Sequence, residues 1–245
     1  MGAWDDGLLD NDSSQDFIGA FALGVEQDII AIHENRSRKL AGNLSAAVGI
    51  LLRLSHRFDP IPGLGEPPHF YPRLICALSA NCEYFLSFPG DTPTLLAMIL
   101  AGRGSELSER PAKLNKQIQK CLFGGKPGVL QGGFSKLEMD LFSHSSAKAY
   151  LASKSKYLIR EIDSQLKDRK EVIDMSYSYL GGMIGLLLVL PIKGLTSKKI
   201  EIWQKRCHAI WNSDGSDGET NDIEFERGFR KKVDRAFGCA VKIYS

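Results

Sequence analysis

Histidine and cysteine are the side chains with which this chain could bind a metal or attack a substrate, and their spacing suits neither task. His33, His56, His69, His144 and His208 include no pair four residues apart around a glutamate, the arrangement that places two imidazoles on one helical face for zinc. Cys207 and His208 are adjacent, so on a helix they point about 100° apart, although a cysteine and a histidine can still meet across the fold. Cys76, Cys82, Cys121, Cys207 and Cys239 are odd in number and never form a Cys-x-x-Cys pair. Their pattern implies free, buried thiols in a reducing compartment, not a disulfide framework or a zinc ribbon. Gly124-Gly125-Lys126-Pro127 contains the Gly-Gly-Lys of a phosphate cradle, but no Ser or Thr follows the lysine and no strand precedes it, so it reads as a connector. There is no Gly-x-Ser-x-Gly turn to present a nucleophile. The expectation is a protein with no catalytic group, no metal site and no cofactor.

Charge is more informative. Asp5, Asp6, Asp10, Asp12 and Asp16 precede any Lys or Arg, the first of which is Arg36. Asp214, Asp217, Glu219, Asp222, Glu224 and Glu226 likewise follow one another without an intervening basic residue. A block of like charge repels itself in the free protein, and a cationic partner relieves that repulsion. Enzymes that hold phosphates present cationic clefts, which carboxylates on a rigid scaffold can fill. The expected partner surface therefore comprises Asp5, Asp6, Asp10, Asp12, Asp214, Asp217, Glu219, Asp222 and Glu224, with Trp211 as an aromatic anchor. Two helices have the opposite sign. Arg103, Arg110, Lys113, Lys116 and Lys120 form one cationic face, and Arg227, Arg230, Lys231, Lys232 and Arg235 form another. Phosphate contact is the functional alternative for residues 103–120 and 227–235, but no RNA- or DNA-binding motif accompanies them, and the sequence favours a solvated face. The formal net charge of +2 selects neither nucleic acid nor an anionic membrane.

Met1, Gly2, Ala3, Trp4, Gly7, Asn11, Asp12, Asp16 and Phe17 together resemble the N-terminus of a bacterial helical family of unknown function. Several members of that family sit beside polymorphic toxin genes of the contact-dependent inhibition type and are taken to be immunity proteins. The family pattern has Gly after the first Trp and a second Trp after the last Asp, where this chain has Asp5 and Phe17. The resemblance covers roughly the first twenty residues and brings no catalytic residue with it. It implies a helical protein that binds and neutralises a cognate toxin.

The elements that must position these residues read as helices. Ser13 is a candidate N-cap with Asp16 reaching back, and Ile18, Ala22, Val25, Ile29 and Ile32 then recur on one face beside Phe17 and Phe21. A second helix follows through Leu44, Ala47, Val48 and Leu51, forming a hairpin with the first. Pro60, Pro62, Pro67 and Pro68 make residues 58–68 a loop, and Pro72 suits the first turn of a third helix bearing Ile75, Leu78 and Cys82. Further helices are expected after Pro93, over 103–122, and from Ser135 through Ala147, Leu151, Leu158, Ile162 and Leu166. Residues 179–192 are apolar for about fourteen residues, short of the ~20 that a bilayer span needs, so a buried core helix is expected there. Gly181 and Gly185 lie one turn apart and would allow a neighbouring helix to approach. Ser197 opens a helix with Ile200, Trp203, Cys207 and Trp211 inward, and the last helix uses Phe225, Phe229, Val233, Phe237 and Val241. The expected class is all-α, a bundle of roughly eight to ten helices with little or no strand. The Gly-rich residues 124–133 are expected to separate parts 1–123 and 134–245, or to form a loop within one domain. The acidic N-terminus is the reverse of a secretory signal's basic start, which points to the cytoplasm.

Overall fold

The computed structural model describes residues 8–35, 41–58, 61, 63–64, 69–80, 142, 147–167, 172, 178–213 and 222–245. Seven helices account for most of them: α1 (Asp12–Glu34), α2 (Ala41–Phe58), α3 (Tyr71–Ala80), α4 (Ala147–Gln165), α5 (Leu180–Val189), α6 (Ser197–Ser213) and α7 (Asp222–Ile243). No strand occurs among the described residues, and the class is all-α. The basic helix expected over 103–120 and the Gly-rich residues 124–133 lie outside them. Among the described residues no helix is long and apolar enough to cross a membrane.

The chain divides into two compact units that do not follow chain order. One contains residues 20–151. Within it the inner face of α1 is Phe21, Ala22, Val25, Ile29 and Ile30. Helix α2 departs from the expected amphipathic pattern, because every residue from Leu44 to Leu51 is buried. Ala46, Ala47 and Gly49 make this possible, since small side chains allow neighbours to close on all sides of a helix. In α3 the buried positions are Leu74, Ala77 and Leu78, while Cys76 is exposed. Tyr150 donates its hydroxyl to Asp28 Oδ2 at 2.6 Å, and burial together with that carboxylate holds the phenol far above its usual pKa. Arg73 grips Glu34 with two nitrogens, through Nε at 3.0 Å and Nη2 at 2.6 Å, but the pair is exposed and contributes little stability.

The other unit contains residues 1–19 and 152–245. Here α7 packs along both α5 and α6. Its buried line of Phe229, Val233, Phe237 and Ala240 belongs to the same core as Leu158 and Ile162 of α4 and Ile200, Trp203 and Cys207 of α6. All residues of α5 but Leu188 are buried, as expected for a core helix. It ends at Val189 with Leu190 as its C-cap, just before Pro191, and Gly194, at φ +76°, supplies the left-handed residue that turns the chain towards α6. Thr196 then caps α6, its Oγ1 accepting from the Lys199 N–H at 3.3 Å. Two hydrogen bonds fasten the turn. Ser155 of α4 accepts from the Lys193 N–H at 2.8 Å, and Tyr244, just past α7, accepts from the Ile192 N–H at 3.2 Å. The Tyr244 hydroxyl in turn donates towards the Leu190 carbonyl at 2.7 Å and the Leu187 carbonyl at 3.0 Å, satisfying acceptors that the end of α5 would otherwise leave open.

Candidate functional site

The N-terminal acidic stretch enters the described residues at Leu8. The helix cap is Asn11, not Ser13: its Oδ1 accepts from the Ser14 N–H at 2.7 Å, and Gln15 Nε2 reaches back to the Leu9 carbonyl at 3.0 Å. The shift has a cause in packing. Ser13 and Ser14 are buried, and Ser14 Oγ donates to the Ser178 carbonyl at 3.2 Å, so neither hydroxyl is placed as a solvent-side cap. Ser178 Oγ itself accepts from the Leu180 N–H at 3.2 Å at the start of α5. The seam between these two helix starts depends on Gly181 and Gly182. A Cβ on Gly181 would stand closer than 3.0 Å to the Leu8 carbonyl oxygen and 2.6 Å from Ser14 Oγ, and one on Gly182 would run into the Ser14 carbonyl. The expected pair of close-approach glycines was Gly181 and Gly185; it is Gly181 and its immediate neighbour that meet the incoming chain. Asp10 and Asp12 flank the cap on this fixed segment, both half-buried.

The second acidic stretch begins after α6 in the sequence and ends within α7. Asp5, Asp6, Asp214, Asp217 and Glu219 are outside the described residues. Asp222 and Glu224 fall in the first turn of α7, where the helix macrodipole favours negative charge. Trp211 is not an exposed aromatic: only 8% of it is accessible, and its indole N–H donates to the Val172 carbonyl at 3.2 Å. The Arg230 guanidinium lies 5.8 Å from its ring centre and the His208 ring 5.6 Å away. In the free protein Trp211 supports the α6–α7 surface and does not project from it.

The cysteine and histidine left open by the sequence separate in space. His208 Nε2 lies 2.7 Å from Asp234 Oδ1, which also accepts from Gln204 Nε2 at 2.6 Å. The Gln204 and His208 hydrogen bonds hold the Asp234 carboxyl below the usual carboxylate range. Cys207 points the other way. Its exposure is 0%, and desolvation pushes its thiol up to about 12, so at neutral pH it is protonated and out of reach of a substrate. It is a buried free thiol, whereas Cys76 and Cys239 are free but exposed, against the expectation that the cysteines are internal. Among the described residues no three His, Cys, Asp or Glu side chains are grouped so as to hold a metal ion.

On the other side of α6, Asp163 of α4 accepts from Lys199 Nζ at 2.9 Å and from the Trp203 indole at 2.8 Å. Burial alone would raise its pKa, but these hydrogen bonds and the Lys199 and Arg206 charges outweigh it and lower the carboxyl. Trp203, fully buried, is thereby the link between α4 and α6. These contacts span 26 to 40 residues, and no local spacing announces them. Compared with protein-family models, with curated proteins and with solved structures, the chain matches none.

Proposed function

We propose that this chain is an immunity protein: a non-enzymatic, cytoplasmic helical protein that binds a cognate bacterial toxin domain and masks its active site. A nuclease is the toxin class that its charge suits, because a cleft built for phosphates accepts carboxylates in their place. The observation that carries the reading is the anchored start of α1. Asp10 and Asp12 stand on a segment held by the Asn11 cap and by the Leu8 and Ser14 contacts with α5. Carboxylates held in place before docking lose little conformational freedom on binding, which preserves affinity. The resemblance of residues 1–17 to a toxin-associated family supports the same reading. So does the second acidic stretch, Asp214 to Glu226, in the unit to which the N-terminal stretch also belongs.

The test is co-expression with the toxic domain encoded immediately upstream. The proposal expects cells carrying both to grow, cells carrying the toxic domain alone to die, and the two proteins to leave a sizing column together. Equal killing with and without the chain, and no complex on the column, would refute it.

A further inference from the structure

The exposed cations of α7 point to a second surface, which stands whether or not the toxin-binding reading holds. With Phe229, Val233 and Phe237 as the inner line, 3.6 residues per turn carry Arg227, Lys231, Arg235 and Lys242 to the opposite side, and all four are exposed. Among the described residues none of the four takes part in an ion pair, a hydrogen bond or a ring contact. Three cations elsewhere are matched, Arg73 with Glu34, Arg160 with Glu161 and Lys199 with Asp163, whereas scattered lysines such as Lys156 are exposed without an ion pair among the described residues but do not form a line. A helix built only for its own stability would alternate charges at i and i+4; here Arg227, Lys231 and Arg235 place like charge at successive i, i+4 steps, which opposes helix formation. The carboxylate of Asp234 does not neutralise the line, because it is turned to α6 and bonded by Gln204 and His208.

We propose that this stripe binds the phosphate backbone of a nucleic acid without reading its sequence. It runs for roughly 22 Å along one helix, its cations stepping by about 6 Å over the first three. A protein partner would need an apolar or aromatic anchor at the centre of its interface, and the stripe contains none. Cations without an anchor suit backbone phosphates, where affinity comes from released counterions.

The experiment measures anisotropy of a short labelled duplex of arbitrary sequence with the full chain across a series of NaCl concentrations. Binding is expected at low salt, with log K falling against log[salt] at a slope of about −3 to −4 for four phosphate contacts. The combined Arg227→Gln, Lys231→Gln, Arg235→Gln variant, altered only at exposed positions and checked for fold by circular dichroism, should bind at least ~10-fold more weakly, with a slope near −1. Lys156→Gln, exposed on α4, should change neither value. Failure to bind at the lowest salt would overturn the proposal. So would a loss with Lys156→Gln equal to that of the triple variant. Competition by polyglutamate as effective as by unlabelled duplex at equal charge would also overturn it, by showing that the stripe prefers an acidic polypeptide.

Discussion

Replacing Gly182 by alanine should destabilise the protein, although the same change at Gly24 or Gly238 should stabilise it. Glycine inside a helix costs about 1 kcal/mol relative to alanine, so an unobstructed Gly→Ala substitution is a gain. At Gly24 in α1 and Gly238 in α7 a Cβ would meet nothing within 4 Å, and alanine there is expected to add about 0.5–1 kcal/mol. At Gly182 the obstruction is the Ser14 backbone itself, including its Cα at 3.2 Å from the new carbon, and backbone cannot rotate away as a side chain could. The start of α1 would have to move. That displacement loosens the Asn11 cap, worth ~1 kcal/mol, and the Ser14 to Ser178 hydrogen bond, worth ~1 kcal/mol, and adds overpacking strain of about 1–3 kcal/mol. After the propensity gain is subtracted, the expected net loss is about 2–4 kcal/mol, or roughly 4–16 °C in Tm for a chain of this size. Urea midpoints and thermal melts of Gly182→Ala, Gly181→Ala, Gly24→Ala and Gly238→Ala, measured side by side, test the sign as well as the size. A Gly182→Ala protein as stable as wild type, or one that gains as Gly238→Ala does, would refute the seam between α1 and α5.

Three further outcomes are expected. Tyr244→Phe, which removes the hydroxyl shared by Leu187, Leu190 and Ile192, should lower the urea midpoint by the equivalent of about 1–2 kcal/mol, because backbone groups at the end of α5 lose their partner. Asp163 and Asp234 are both held below the usual carboxylate range in the folded state. Their contribution is complete above the unfolded value near ~3.9 and is lost as pH falls through the folded values, so stability should decline from about pH 4 downward, and Asp163→Asn should flatten that decline in urea titrations across pH. Under native conditions a thiol reagent should label Cys76 and Cys239 and spare Cys207 until the protein unfolds, as read by mass spectrometry of peptides.

Hydrophobic period placed the helices in the sequence, because it needs only local information. Ile18, Ala22, Val25 and Ile29 in α1, Leu151, Leu158 and Ile162 in α4, and Ile200, Trp203 and Cys207 in α6 are the buried faces that their spacing implies. The cap of α1 was ambiguous for a physical reason. Asn11, Asp12, Ser13 and Ser14 can all cap a helix, and the choice of Asn11 follows from burial of both serines, Ser14 against the start of α5 more than 160 residues away. The same limit applies to the apolar stripe assigned to α2, since a periodic face says which side is inward but not whether other elements cover the remaining sides. Side-chain pairs such as Asp163 with Trp203, and His208 with Asp234, share no spacing rule, so their chemistry emerges only when the helices are assembled. The burial of Trp211, by contrast, was legible: it lies near an acidic segment, but its place on the inner line of α6, in register with Cys207 and Trp203, already pointed inward.

The most direct test of the central claim is the association rate of the purified chain with the toxic domain encoded upstream, followed by stopped-flow fluorescence over a range of ionic strength. The complex should form with an association that slows steeply as salt rises and slows further when Asp10 and Asp12 are changed to Asn, and it should abolish the toxin's activity at equimolar chain. A toxin that keeps full activity in an excess of this protein, or an association indifferent to both salt and those two carboxylates, would contradict it.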